Sequence, residues 1–206
     1  MRRLFLLPLV ALLSGCATLH YLSNPYGSMV DRVSASVVRI SGETDMETMF
    51  GIIHATYACT GEVIAVHRVL TAAHCVGNPM YADGLPVKVL AIDGRYDLAL
   101  LDVQTNKPPL VMRDDPVVKF EDLTAIGYAF GWDQALVLDV KVLLVSKAPV
   151  DNDTPGIIVR PGYIGGMSGG PVVDMNGQMV GIVQQANSGV GYGVPILIIR
   201  AFLLGH

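Results

Sequence analysis

Charge is scarce in this sequence: only 16% of its 206 residues are Asp, Glu, Lys or Arg. With 51% hydrophobic residues beside them, that excludes a disordered chain and leaves room for one good-sized core or two small ones in tandem. No apolar run approaches the roughly 20 residues that a membrane-spanning helix needs. The ten-residue run Leu4 to Leu13, preceded by Arg2 and Arg3, has instead the form of a secretory signal peptide. Cysteine is sparse, with three residues and no C-x-x-C or paired-histidine spacing, which disfavours zinc. No cofactor or metal is expected, and no internal repeat or low-complexity segment occurs.

Leu13-Ser14-Gly15-Cys16 resembles the lipobox of bacterial lipoproteins, in which the cysteine is acylated and becomes the mature N-terminus. An ordinary signal with an incidental cysteine is the alternative. The lipobox implies export and a membrane anchor at Cys16, facing the periplasm from the outer membrane in a two-membrane cell. Without residues 1–15 the chain has 12 basic and 18 acidic residues, a formal charge of −6, which disfavours nucleic acid as a partner. Cys59 and Cys75 then remain as a pair in an oxidising compartment, as a disulfide or as two buried thiols.

Residues 16–32 show no sustained period and carry Asn24-Pro25 and Tyr26-Gly27 turn chemistry, which suits a tether. From Val33 onward the pattern is one of short runs rich in β-branched and aliphatic residues, over 33–40, 61–66, 87–92, 98–103, 135–145, 156–160, 171–174 and 178–183. The chain reads as all-β. Asn176-Gly177 predicts a two-residue hairpin turn between the last two runs. The polar stretch 113–122 divides the strands into two sets, 33–112 and 123–206, hence two barrels or sandwiches. The one helix expected is a short one over 196–205.

A serine nucleophile needs a base to take its proton, and the base needs an anion to hold its tautomer. Of the five histidines, His20 falls in the tether, His206 is the last residue, and His54 and His67 sit within β-like runs. His74 ends the apolar run VLTAAHCV and directly precedes Cys75. Ser168 lies in GMSGGPVVD, a glycine-rich turn that feeds a hairpin strand.

ACTGEVIAVHRVLTAAHCV (58–76), YDLALLDV (96–103), LTAIGYAFG (123–131) and GMSGGPVVDMNGQMVGIV (166–183) resemble the chymotrypsin-type serine proteases, whose residue order His, Asp, Ser they share. The resemblance implies two packed antiparallel Greek-key barrels and hydrolysis of polypeptide substrates through an acyl-enzyme. It makes His74 the general base, Asp97 its orienting anion and Ser168 the nucleophile, and pairs Cys59 with Cys75 as the family disulfide. By the same resemblance the N–H groups of Gly166 and Ser168 face the developing oxyanion. The glycines around the serine would then keep side chains out of the substrate's way. Asp93 and Asp102 are rival carboxylates, read as solvated loop charge.

Met167 stands where digestive and clotting members carry an aspartate that pairs with a freshly cut N-terminus, so activation by that ion pair is not expected. The pattern is similar to the bacterial branch that includes periplasmic high-temperature-requirement and glutamyl-specific proteases. The implied substrate pocket involves Gly162, Tyr163, Gln184 and Gly191, with no carboxylate at its base and with Tyr163 and Tyr192 narrowing it. Cleavage after small or medium uncharged residues is expected. A catalytically silent binding or chaperone module and a structural envelope lipoprotein are the alternatives.

Overall fold

A computed structural model describes residues 25–49, 51–146 and 156–206. The expected signal peptide, Cys16 and His20 lie outside the described residues. The chain opens with helix α1 (Pro25–Ser34). A seven-stranded sheet follows, built from β1 (Val37–Thr48), β2 (Gly51–Ala65), β3 (Arg68–Thr71), β4 (Met80–Ala82), β5 (Leu85–Pro86), β6 (Lys88–Asp93) and β7 (Leu98–Asp102). Its spatial order is β5-β4-β1-β2-β3-β7-β6. The second set is β8 (Asp122–Gly127), β9 (Leu136–Ser146), β10 (Gly156–Arg160), β11 (Pro171–Val173), β12 (Met179–Asn187) and β13 (Val190–Pro195), and it closes into a six-stranded barrel. Helix α2 (Ile196–Leu204) ends the chain. The all-β reading holds, with the N-terminal set curled as a half-barrel.

Alternation along the strands sorts the core into three clusters. Val38, Ile40, Val63, Val69 and Leu101 fill the N-terminal sheet. Leu123, Val140, Val142, Ile157, Val159 and Val172 fill the C-terminal barrel. The third cluster joins the halves: Leu70, Leu98 and Leu100 of the first meet Ile126, Met179, Ile182 and Val194 of the second. Both helices seal it, α1 through Met29 and Val33, α2 through Ile196, Ile199 and Phe202. Arg200 of α2 is tied to the interdomain segment, donating to the carbonyls of Met112 (3.3 Å) and Arg113 (3.2 Å) and to Asp114 (2.6 Å).

One charged residue violates that core. Glu62 on β2 is 0% exposed, lies opposite Val37 and Leu70 in the strand register, and neither of its carboxylate oxygens has a hydrogen-bond partner. Burial pushes its carboxyl well above the usual carboxylate range, which favours the neutral form. Below about pH 4 the unfolded chain is protonated there too; above it, unfolding releases a proton, and the cost of Glu62 grows as pH rises toward its folded value. Glu62→Met should therefore stabilise the protein by about 2 kcal/mol at neutral pH, roughly 4–8 °C in Tm, with the gain shrinking toward pH 4. A gain independent of pH in thermal melts would contradict this account.

Three expectations need correction. The stretch expected to be an irregular tether is helical from Pro25, and Val33-Ser34, expected to open a strand, close that helix. The signals for it are a proline at the first helical position and Met29 and Val33 four residues apart, both 1% exposed. The β11–β12 turn is not a two-residue loop. Asp174 N–H donates to Gln178 C=O at 3.0 Å, leaving Met175, Asn176 and Gly177 as the loop, with Gly177 at φ 79°. Asp174 decides this: its carboxylate accepts from the N–H groups of both Asn176 and Gln178 at 2.9 Å, which starts the turn one residue early. Finally, β4, β5, β8 and β13 are absent from the expected strands; β13 (VGYGVP) carries glycines at Gly191 and Gly193, which leave much of one face without side chains to read.

Candidate active site

His74 is held in a short 3-10 turn, Ala73–Cys75, at the end of β3. Asp97 grips that turn three times. Its C=O accepts from Ala73 N–H (3.1 Å), its Oδ1 from His74 N–H (2.9 Å), and its Oδ2 from His74 Nδ1 (2.8 Å). A carboxylate only accepts, so Nδ1 carries a proton, and in the neutral ring Nε2 holds the lone pair. Asp97 reaches this position at φ 56°, a left-handed conformation that Asp and Asn tolerate better than most residues. Behind the turn, Cys59 and Cys75 form the expected disulfide.

Ser168 comes from the other half, on the loop between β10 and β11. Its hydroxyl donates to the C=O of Gln184 at 3.3 Å. That carbonyl is available because Gln184 is the extra residue of a bulge: Val183 pairs with Gly193 and Gln185 with Tyr192, which leaves Gln184 out of the ladder. His74, Asp97, Ser168 and Gln184 line one cleft of about 510 Å³, together with Tyr163 and Ile164. A larger cavity of about 620 Å³, beside α1 and Pro108–Pro109, shares no residue with it. The rival carboxylates stay apart: Asp93 caps its own turn through the N–H groups of Arg95 and Tyr96, and Asp102 pairs with Arg68. His67 meets the Val103 carbonyl, and His206 packs edge-on against Phe202.

The loop around Ser168 has nearly every backbone group accounted for. The carbonyl of Gly165 accepts from Phe130 N–H (2.7 Å), that of Met167 from Gly170 N–H (2.9 Å), and that of Ser168 from Thr60 N–H (2.9 Å). The carbonyl of Gly166 accepts from the Thr60 hydroxyl at 2.8 Å. Met167 N–H donates to Ile164 C=O (3.0 Å) and Gly169 N–H to Val183 C=O (2.7 Å). Within 165–170, the N–H groups of Gly165, Gly166 and Ser168 make no hydrogen bond to another described residue, and those of Gly166 and Ser168 flank the nucleophile's own segment. Each of these two belongs to a peptide whose carbonyl, that of Gly165 or Met167, is held on the opposite side, so these N–H groups point the other way. Gly166 adopts φ 93°, which only glycine takes without strain.

The glycines after the serine serve a different purpose from the one expected. A Cβ on Gly169 would lie 2.2 Å from Thr71 Oγ1 and 2.4 Å from Thr60 O; one on Gly170 would lie 2.9 Å from Thr60 Cγ2. They admit the N-terminal sheet, not the substrate. Met167 is fully buried in the barrel core, where it anchors the serine loop through apolar contact. Gly162 and Gly191 are close-approach positions too. A Cβ on Gly162 would meet Val190 O at 2.8 Å, and one on Gly191 would meet Tyr163 Cδ2 at 2.7 Å. The Tyr163 ring is 6% exposed, and burial raises its phenol above the ordinary value. Among the residues lining the cleft, the one carboxylate is Asp97. Sequence reasoning misses both Thr60 and Phe130, since a threonine after a cysteine and a phenylalanine between alanine and glycine carry no spacing signal.

Comparisons with known proteins bear on the family and the fold. The chain is 32% identical over 140 residues to serine protease Rv3671c of Mycobacterium tuberculosis, covering 60% of this chain and 35% of that protein. It is 32% identical over 116 residues to the "probable periplasmic serine endoprotease DegP-like" of Marinomonas sp., covering 52% and 25%. The chain thus spans between a quarter and about a third of the length of these curated relatives. The crystal structure of the inactive form of Rv3671c protease superposes with a TM-score of 0.70 at 25% identity, over 86% of this chain and 91% of that one. The active form gives 0.73 at 24% identity, over 99% and 92%. Residues 59–182, which run from the disulfide cysteine through the histidine turn and the serine loop into β12, match the trypsin-like peptidase domain, and the chain belongs to that family.

Proposed function

We propose that the protein is an exported serine endopeptidase that works through His74, Asp97 and Ser168. The observation that carries this reading is the pair of unengaged N–H groups at Gly166 and Ser168, next to a hydroxyl and across the cleft from an imidazole already oriented by a carboxylate. Ser168 Oγ attacks the scissile carbonyl carbon while His74 Nε2 takes its proton. The carbonyl oxygen becomes an anion between the two N–H groups. Asp97 stabilises the imidazolium without itself being protonated. Collapse expels the amine, which leaves with the proton from His74; water then enters by the same route and releases the acid from the ester.

The cleft's chemistry supports a narrow range of substrates. With Tyr163 packed over Gly191 and no free carboxylate, a Lys or Arg side chain would be desolvated without a counter-charge, a penalty of several kcal/mol. Cleavage is expected after Ala, Val or Leu. Digestion of a proteome-derived peptide library tests both parts. No cleavage, together with no fluorophosphonate labelling at Ser168, would refute the enzyme, and a dominant Arg or Lys signature would refute the pocket.

The hydrogen bond from Ser168 to Gln184 favours a second reading, a silent binding module, because the nucleophile's proton faces away from its base. A hydroxyl rotates freely about Cβ–Oγ, and one weak bond of about 1 kcal/mol does not hold it against a substrate. Attachment through acylated Cys16 completes the proposal. It rests on the lipobox resemblance, and the mass of the mature N-terminal peptide decides it, since an unmodified Cys16 would refute the anchor.

A further inference from the structure

Thr60 belongs to β2 of the N-terminal sheet, next to the disulfide cysteine Cys59, yet most of its polar contacts are with the nucleophile's half. Its N–H donates to Ser168 C=O at 2.9 Å. Its hydroxyl donates to Gly166 C=O at 2.8 Å and accepts from Tyr128 N–H at 2.9 Å. Its own carbonyl accepts from the Thr71 hydroxyl at 2.7 Å, which holds Thr60 in place from behind.

We propose that Thr60 is a positioning residue that keeps the Gly166 N–H aimed into the cleft, a role that rests on the reading of Gly166 and Ser168 as the oxyanion donors. Gly166 is the one residue of the loop in a left-handed conformation whose two flanking peptides could rotate cheaply while the serine stays in place, since glycine has no Cβ to resist it. The peptide after it is pinned by the Thr60 hydroxyl. The peptide before it is pinned by Phe130 N–H, at 2.7 Å from Gly165 C=O, and Phe130 follows Tyr128 by two residues in a tight turn that the same hydroxyl anchors. One oxygen atom therefore governs both peptides on either side of the left-handed glycine. Three glycines make room for Thr60. A Cβ on Gly127 would lie 2.9 Å from Thr60 Oγ1, one on Gly169 2.4 Å from Thr60 O, and one on Gly170, already barred by Ile126 O at 2.5 Å, 2.9 Å from Thr60 Cγ2.

Removing the hydroxyl at constant shape leaves Gly166 C=O and Tyr128 N–H without a partner, and the loop regains the freedom to turn its N–H away. Thr60→Val should lower kcat by about 100-fold, the scale of losing one oxyanion donor, with KM within about twofold. Fluorophosphonate labelling of Ser168 should slow by the same factor, and a peptide aldehyde, whose hemiacetal oxygen needs the same donors, should bind correspondingly worse. Thr60→Ser keeps the oxygen and loses only the methyl facing Gly170. It should retain kcat within about threefold. Binding of the product peptide, which needs no oxyanion, should be unchanged in both. If Thr60→Val does not fold, Thr60→Ser still decides: a large loss of kcat there would assign the effect to packing and overturn the proposal. Equal labelling rates in Thr60→Val and wild type would also overturn it. An unlabelled wild-type protein would instead refute the active-site reading on which it rests.

Discussion

Replacing Ser168 with alanine should give a folded protein whose peptide-bond turnover is lower by roughly 10⁵–10⁶-fold. The fold should survive because every hydrogen bond that shapes the loop is made by backbone atoms or by Thr60. The Ser168 side chain contributes only its bond to the Gln184 carbonyl. Losing that bond costs about 1 kcal/mol or less. Turnover should collapse because no neighbouring group can replace the oxygen that forms the ester. His74→Ala should be comparably inactive, and the double variant no worse than either single one, since base and nucleophile act in the same step. Measuring kcat/KM on a peptide substrate beside thermal melts separates chemistry from folding. Wild-type turnover by a folded Ser168→Ala protein would remove Ser168 from its role.

Asp97→Asn should cost about 10⁴-fold in kcat. This substitution isolates the tautomer, since asparagine tolerates the φ of 56° and its Oδ1 can still accept from His74 N–H. What changes is the atom facing Nδ1. An amide NH₂ there donates where the carboxylate accepted, which drives the imidazole proton to Nε2, and Nε2 can no longer take a proton from Ser168. Stability should change little, so melts within a few degrees of wild type and a kcat within tenfold of it would together contradict the assignment.

The fold class is legible in the sequence while several of its details are not, for reasons visible at particular residues. His74, Asp97 and Ser168 are legible only through the resemblance, whose order and flanking residues they share, and the structure gathers them around one cleft. Helix α1 is hard to see because, among its described side chains, only Met29 and Val33 are fully buried in the core, and Asn24-Pro25 reads equally well as a turn or a helix start. The glycines of GMSGG are visible, but their reason is not. Gly166 is required by its own φ and by the Tyr128 carbonyl, whereas Gly169, besides its φ of 79°, is required by Thr71 and Thr60, about a hundred residues earlier in the chain, and Gly170 by the Ile126 carbonyl. Local pattern cannot report a steric partner that only tertiary packing brings near. Glu62 is the converse case: a charge in a β-run reads as a solvated face, and only the packed interface shows it facing Val37 and Leu70.

The contact between Thr60 and Gly127, Gly169 and Gly170 also bears on how such chains can be recombined. The two β-sets look like modules, each contributing part of the site, and a gene hybrid cut in the 113–122 segment would be expected to exchange them freely. Thr60 belongs to the first module, while all three glycines that accommodate it belong to the second. A second module drawn from a relative with a side chain at position 127 or 169 would collide with Thr60. A first module with a bulkier residue at position 60 would force the serine loop out of shape. The halves are separable as stretches of sequence, yet with respect to catalysis they are inherited as one unit.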